Sequence, residues 1–150
     1  MKRFAQWSWF ALVVIFVLAG CASGAKHKDI ASAIPTMATD QGRIFFWRNS
    51  GFFGAGIQPG VLLDGKRVGE SKPGGFFYVD ATPGDHEVLM TTEVEKRLTF
   101  NLARGETKYV KSTVGLGVIV YRVYPELASE SESLKVLPEL SYIGAPFPRP

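Results

Sequence analysis

From Gly42 onward the chain is cut by turn signals about every 8–12 residues, a spacing that leaves room for short strands and for little else. Arg43-Ile44-Phe45-Phe46-Trp47-Arg48 is aromatic and β-rich. Val61-Leu62-Leu63 runs into Asp64-Gly65, a pair suited to a two-residue hairpin turn, with Arg67-Val68-Gly69 on the return. Lys72-Pro73-Gly74-Gly75 turns the chain into Phe76–Asp80, and Thr82-Pro83-Gly84-Asp85 turns it again into His86–Thr92. Leu98, Phe100 and Leu102 alternate with Thr99 and Asn101, the pattern of a strand with one dry face. After Arg104-Gly105-Glu106, segments 107–114 and 118–124 complete a set of about eight, with Gly115 and Gly117 between them.

No amphipathic helix interrupts these segments, which disfavours a parallel βαβ architecture. The spacing predicts a single all-β domain, a small antiparallel β-sandwich of seven or eight strands over residues 42–143, with one core. Residues 129–137 predict one short C-terminal helix, with Ser131 or Ser133 near its start and Pro138 ending it. Residues 144–150 form a Pro-rich, extended tail.

The blocks Gly42–Arg48, Leu63-Asp64-Gly65-Lys66-Arg67-Val68-Gly69, Phe76–Asp80 and Pro83-Gly84-Asp85-His86-Glu87-Val88 resemble, in order and spacing, the DUF2846 family of predicted bacterial lipoproteins. The likeness covers about residues 42–124. A weaker one is to PEGA-type domains. Both imply a prealbumin-like or carboxypeptidase-regulatory-like sandwich in the cell envelope, and neither brings catalytic residues. The blocks have a physical reading of their own. Asp64-Gly65 supplies positive φ at a tight turn, Pro83 presets φ for the next, and His86 packs or caps a turn.

The first 21 residues, MKRFAQWSWFALVVIFVLAGC, resemble the signal peptide of a bacterial lipoprotein. Lys2 and Arg3 precede an apolar run too short for a comfortable membrane span, and Leu18-Ala19-Gly20 leads into Cys21. On this reading residues 1–20 are cut off. Cys21 then carries a diacylglyceryl group and an N-acyl chain, the palmitate-type modification of this class; an uncleaved anchor helix is the alternative. The resemblance also implies a place for the body: Ala22 is not the Asp that retains lipoproteins at the inner membrane, which favours the inner leaflet of the outer membrane, facing the periplasm. Cys21 is the one cysteine, so the mature chain forms no internal disulfide. Residues 21–41 read as a lipidated tether with a flexible-chain span of about 25 Å. Within it, residues 28–33 suit a short helix. Lys26-His27-Lys28 reads either as a solvated stretch or as a contact for anionic head groups. Losing Lys2 and Arg3 takes two charges from the formal net +3, leaving about +1. That does not suggest a nucleic-acid partner.

Catalytic signals are weak. No G-x-S-x-G elbow occurs, and Ser71 and Ser112 have no neighbouring histidine in sequence. The mature chain offers two histidines, His27 and His86, against the three or four ligands zinc takes. Of Asp85-His86-Glu87, Asp85 and Glu87 share a strand face, as Glu93 and Glu95 do; charges that discourage edge pairing account for such pairs. Gly51–Gly56 lacks the Lys-Ser/Thr end of a phosphate loop. It carries Phe52-Phe53 between glycines. These rings either plug the core or form a contact loop, joined by Trp47 and Arg48.

The sequence therefore points to a membrane-anchored periplasmic lipoprotein that is not an enzyme and uses no cofactor beyond its lipid. It is read as a binding or adaptor module for an envelope protein or cell-wall component. Phe52, Phe53, Trp47 and Arg48 are the candidate interaction residues. The alternatives are a small-ligand or glycan binder and, behind it, a hydrolase built around His86.

Overall fold

A computed structural model describes residues 22–92, 95–117 and 121–146. Two sheets face each other. The first has the order β8-β7-β1-β4-β9, from Tyr121–Ala128, Thr107–Leu116, Gly42–Trp47, Gly75–Ala81 and Ser141–Tyr142. The second has the order β3-β2-β5-β6, from Lys66–Glu70, Gly60–Leu63, Gly84–Met90 and Lys96–Leu102. The expected sandwich is present, with nine strands among the described residues. It is not wholly antiparallel. β1 pairs parallel with β7, Arg43 opposite Thr107, and β4 pairs parallel with β9. The chain leaves the second sheet after β6 and re-enters the first beside β1, from the end at which β1 begins.

Between the sheets lies a core built on Ile44, Phe46, Val61, Phe77, Val88 and Met90. Each such side chain contributes about 1.5–3 kcal/mol by leaving water. A second apolar cluster covers the outer face of the first sheet, where Phe45, Trp47, Phe76 and Tyr109 meet Leu137 and Leu140. β1 is therefore buried at every position, which is why Ile44 to Trp47 is a continuous apolar run and not an alternation. Edge strand β8 carries Pro125, a position where a missing N–H breaks no inner ladder.

Helix α2, Glu130–Val136, closes part of the outer face. Its N-cap is Ser129, upstream of the expected Ser131 or Ser133, because the Ser129 side chain is the one that accepts the Glu132 N–H at 3.1 Å. Ser133 is fully buried instead: its hydroxyl donates to the Ser129 carbonyl and accepts the Trp47 indole N–H at 3.1 Å. A single 3-10 turn, Leu137–Glu139, with Pro138 inside it, follows α2 into β9.

The segment read as a free tether lies against the domain. Helix α1, His27–Ile30, and the 3-10 turn Ala31–Ala33 place Ile30 and Ile34 on the second apolar cluster. The Ala22 N–H donates to the Pro73 carbonyl at 3.0 Å, and the His27 N–H to Leu140 at 2.9 Å. Lys26 forms a bridge with Ser141. Arg43, paired with Asp80 at 2.6 and 2.8 Å, donates also to the Pro35 carbonyl at 2.9 Å. In the Lys26-His27-Lys28 cluster Lys28 stays in solvent, as the solvated reading expects, while His27 turns to the domain. Both lysines bind Glu139, and the His27 ring stands edge-on to Phe76 at 5.1 Å. Cys21, the leader and residues 147–150 of the tail lie outside the described residues, as does Glu93.

Candidate functional site

The topology collects unlike residues at the two ends of the sandwich. At one end, called the loop end here, β1 finishes and β4 begins, so the connections 48–59 and 71–74 meet there. The β7–β8 hairpin extends past them, because β7 continues five residues beyond Lys111, the partner of Trp47.

The 48–59 connection is held from beneath by Arg48. Its guanidinium donates to the carbonyls of Gly54 at 2.7 Å, Ile57 at 2.7 Å and Ser71 at 3.1 Å. Among the described residues no carboxylate pairs with it, and burial holds its pKa below the usual guanidinium value. Arg48 and Trp47 are thus interior residues, 2% and 3% exposed. The sequence lets both join either the plug or the contact loop, as candidate interaction residues. They organise its base instead, because a side chain that spans three carbonyls fixes the loop from inside.

Two turns, Ala55 N–H to Phe52 carbonyl at 3.1 Å and Ile57 N–H to Gly54 carbonyl at 3.0 Å, fold the loop tip. Gly54 has φ +68° and lies where a Cβ would come within 2.8 Å of Val114, so a glycine is required for both reasons. The consequence is that Phe52 and Phe53 project outward, 85% and 69% exposed. Their rings sit edge-on at 6.3 Å, and Phe53 lies 5.9 Å from Tyr121. Leu116, at the hairpin tip, is 84% exposed. Of the two readings open for Phe52-Phe53, the core plug is not what the fold shows, since both rings stand in solvent.

Beside the loop, a cleft of about 330 Å³ opens between Phe53, Trp47, Arg48, Lys111, Thr113 and Glu132. Its charges are partly spent on one another. Lys111 pairs with Glu132 at 3.0 Å, and the Thr113 hydroxyl donates to Glu126 at 2.6 Å.

The far end carries His86. Its Nδ1 lies 2.7 Å from the Asp64 carboxylate and its Nε2 2.8 Å from the Thr82 carbonyl. Both partners are acceptors, so the geometry suits an imidazolium donating from each nitrogen. Burial alone pulls the pKa of His86 down; the bonds to Asp64 and Thr82, with the Asp64 charge, outweigh it and raise it. Asp64 also accepts the Glu87 N–H at 2.9 Å, and it takes positive φ, 50°, in the hairpin turn with Gly65. The two blocks "DG" and "PGDH" are therefore halves of one latch between turns. Neither ring nitrogen is free to move a proton for a substrate while the latch is closed. Asp85 and Glu87, the carboxylates that share a face, are bound by Asn101 and Arg97. Among the described residues no group of three His, Cys, Asp or Glu side chains stands together. No described helix is long and apolar enough to cross a membrane.

The family described as "Protein of unknown function (DUF2846)" matches residues 38–123. An uncharacterized protein of Haemophilus influenzae is 24% identical over 133 residues, spanning 85% of this chain and 79% of that protein. No solved structure matches the chain significantly.

Proposed function

The chain belongs to the DUF2846 family, whose members are described only as proteins of unknown function, and from that premise we propose that it is a lipid-anchored module of the cell envelope that acts by contact and not by chemistry. Cys21 carries the anchor, and the loop end is the contact surface. The observation that carries this reading is the exposure of Phe52 and Phe53 on a loop fixed from within by Arg48. Two large apolar rings held in water by a built scaffold are what a binding surface needs and what a free-standing domain does not. Anchoring raises the local concentration of any partner, so a small patch suffices.

The cleft beside Phe53 supports a second reading, a small-ligand or glycan binder, since Trp47 and Phe53 supply apolar walls and Lys111, Thr113 and Glu132 polar ones.

One experiment on the full chain tests the main reading. Cys21→Ser abolishes palmitate labelling and releases the protein from membranes. In living cells, a photo-crosslinking residue at Phe53 gives a discrete adduct that the same residue at Lys66, in the far-end hairpin, does not. Equal adducts from both positions, or none from Phe53 in a stable, lipidated protein, overturn the contact surface. Retention of label by Cys21→Ser overturns the anchor.

A further inference from the structure

Three observations at the loop end converge. The three most exposed large apolar side chains among the described residues, Phe52, Phe53 and Leu116, all lie there; Leu127 and Leu134, elsewhere on β8 and α2, are 45% and 51% exposed. The sequence after Leu116 runs Gly117-Val118-Ile119-Val120, the last three outside the described residues, and residues 49–59 contain no charged side chain.

The chain also departs toward Cys21 from this same end. Ala22 is bonded to Pro73; the next residue, Gly74, donates to the Asn49 carbonyl at 3.3 Å and packs against Ser50. Phe52 is two residues further along. At 3.8 Å per Cα step, Ala22 and Phe52 are no more than about 25 Å apart.

There is no slack between the two. The first described residue is already bonded to the domain, and the segment that follows it is held by Leu140, Ser141 and Arg43. A lipid on Cys21 therefore brings the bilayer to within one residue of Pro73, at the end of the sandwich where Phe52, Phe53 and Leu116 are exposed.

We propose that the occupant of the loop end is the bilayer itself: Phe52, Phe53 and Leu116 rest in the membrane that holds Cys21, and the domain stands loop end down on it. The proposal rests on the reading that Cys21 is the anchor, and it names the partner of the same surface. Apolar rings on an uncharged loop enter the head-group boundary without desolvating a charge, and large aromatic and aliphatic side chains are the residues interfacial segments use. Charges beside the loop are paired, Lys111 with Glu132 at 3.0 Å in the cleft next to Phe53 and Lys72 with Glu70 at 3.4 Å. The far end, with its paired His86 and Asp64, points away from the membrane and is left free.

The test uses the full chain, processed and lipidated in a bacterial host. It is reconstituted in phosphatidylethanolamine–phosphatidylglycerol vesicles with brominated acyl chains. Acylation occupies the Cys21 sulfur, so Phe53→Cys, Leu116→Cys and Lys66→Cys each supply one thiol for an environment-sensitive fluorophore. All three sites are exposed, and an unchanged melting temperature verifies the fold of each variant. The expected result is several-fold stronger quenching at positions 53 and 116 than at 66. Equal quenching at 53 and 66, in protein that still floats with the vesicles, overturns the proposal and leaves the anchor standing. A protein adduct at Phe53 in cells then assigns the surface to a protein partner instead. Protein that does not float overturns the anchor, and the proposal with it.

Discussion

The two ends of this sandwich solve opposite problems. The far end closes three connections with short polar turns whose side chains bond one another and the turn backbone: Asp64 with His86 and the Glu87 N–H, His86 with the Thr82 carbonyl, and Glu106 with the Ala103 N–H at 2.7 Å. The loop end sets a buried arginine against three carbonyls and holds two phenylalanines in water. The first arrangement pairs its polar groups within the fold. The second costs solvation on both counts, and the domain would fold without the rings. The proposed contact function rests on that second arrangement, a surface built into place though it contributes little to stability.

Substitutions that affect the ends differently sharpen this contrast, and the largest effect is expected at Arg48. Arg48→Met leaves the Gly54, Ile57 and Ser71 carbonyls without their donor, each a loss of about 1–3 kcal/mol if it stays dry. Partial relaxation to water brings the expected total to about 3 kcal/mol, read by urea denaturation, with new protease cleavage confined to residues 49–59. Arg48→Lys is expected to restore little, since one ammonium does not reproduce a planar fork. Wild-type stability in Arg48→Met would remove the cradle from the account.

Next comes the far-end latch. His86→Ala is expected to cost about 2 kcal/mol, in the range of a charge-assisted hydrogen bond, and a double-mutant cycle with Asp64→Ala is expected to show coupling of about 1 kcal/mol. No coupling would mean that the two turns close independently. The loop end should be indifferent: crosslinking at Phe53 stays unchanged.

The two histidines give a smaller effect with opposite signs. His86 has a raised pKa, so its contribution is complete below the unfolded value of about 6.5 and is lost as pH rises through the higher folded value. Burial against Phe76 lowers the pKa of His27, so the docked N-terminal segment prefers the neutral ring and weakens as pH falls below about 6.5. Urea midpoints of His86→Gln and His27→Gln between pH 5 and 8 are expected to lose opposite slopes of the parent curve. Parallel slopes would contradict the assignment. The smallest stability effect belongs to Phe52→Ser with Phe53→Ser, expected within about 0.5 kcal/mol of the parent because the rings are already wet.

How much of this was legible in the sequence follows from how local each cause is. Asp64-Gly65 and Pro83-Gly84 carry their turn geometry in two residues, so the strand order could be laid out from them. The docking of residues 22–35 could not. Ile30, Ile34 and His27 stand in a small, polar stretch, and their partners Phe76, Leu137 and Leu140 are recruited from up to about a hundred residues away. Trp47 and Arg48 left a signal that was misread: an unbroken run from Ile44 to Trp47 marks a strand covered on both faces, which places its ends inside. The partners of Arg48 are carbonyls, which no sequence shows. Phe52-Phe53 was ambiguous for a physical reason, since glycines on both sides permit either direction, and Arg48 below and Val114 beside Gly54 decide it.

The contrast between the ends is tested most directly by amide hydrogen exchange on the lipidated full chain, in vesicles and in detergent. Slowed exchange in vesicles at residues 49–56 and 114–117, with no change at 64–66 or 82–87, is the predicted result. Slowed exchange at the Asp64–His86 end, or equal change at both, would contradict it.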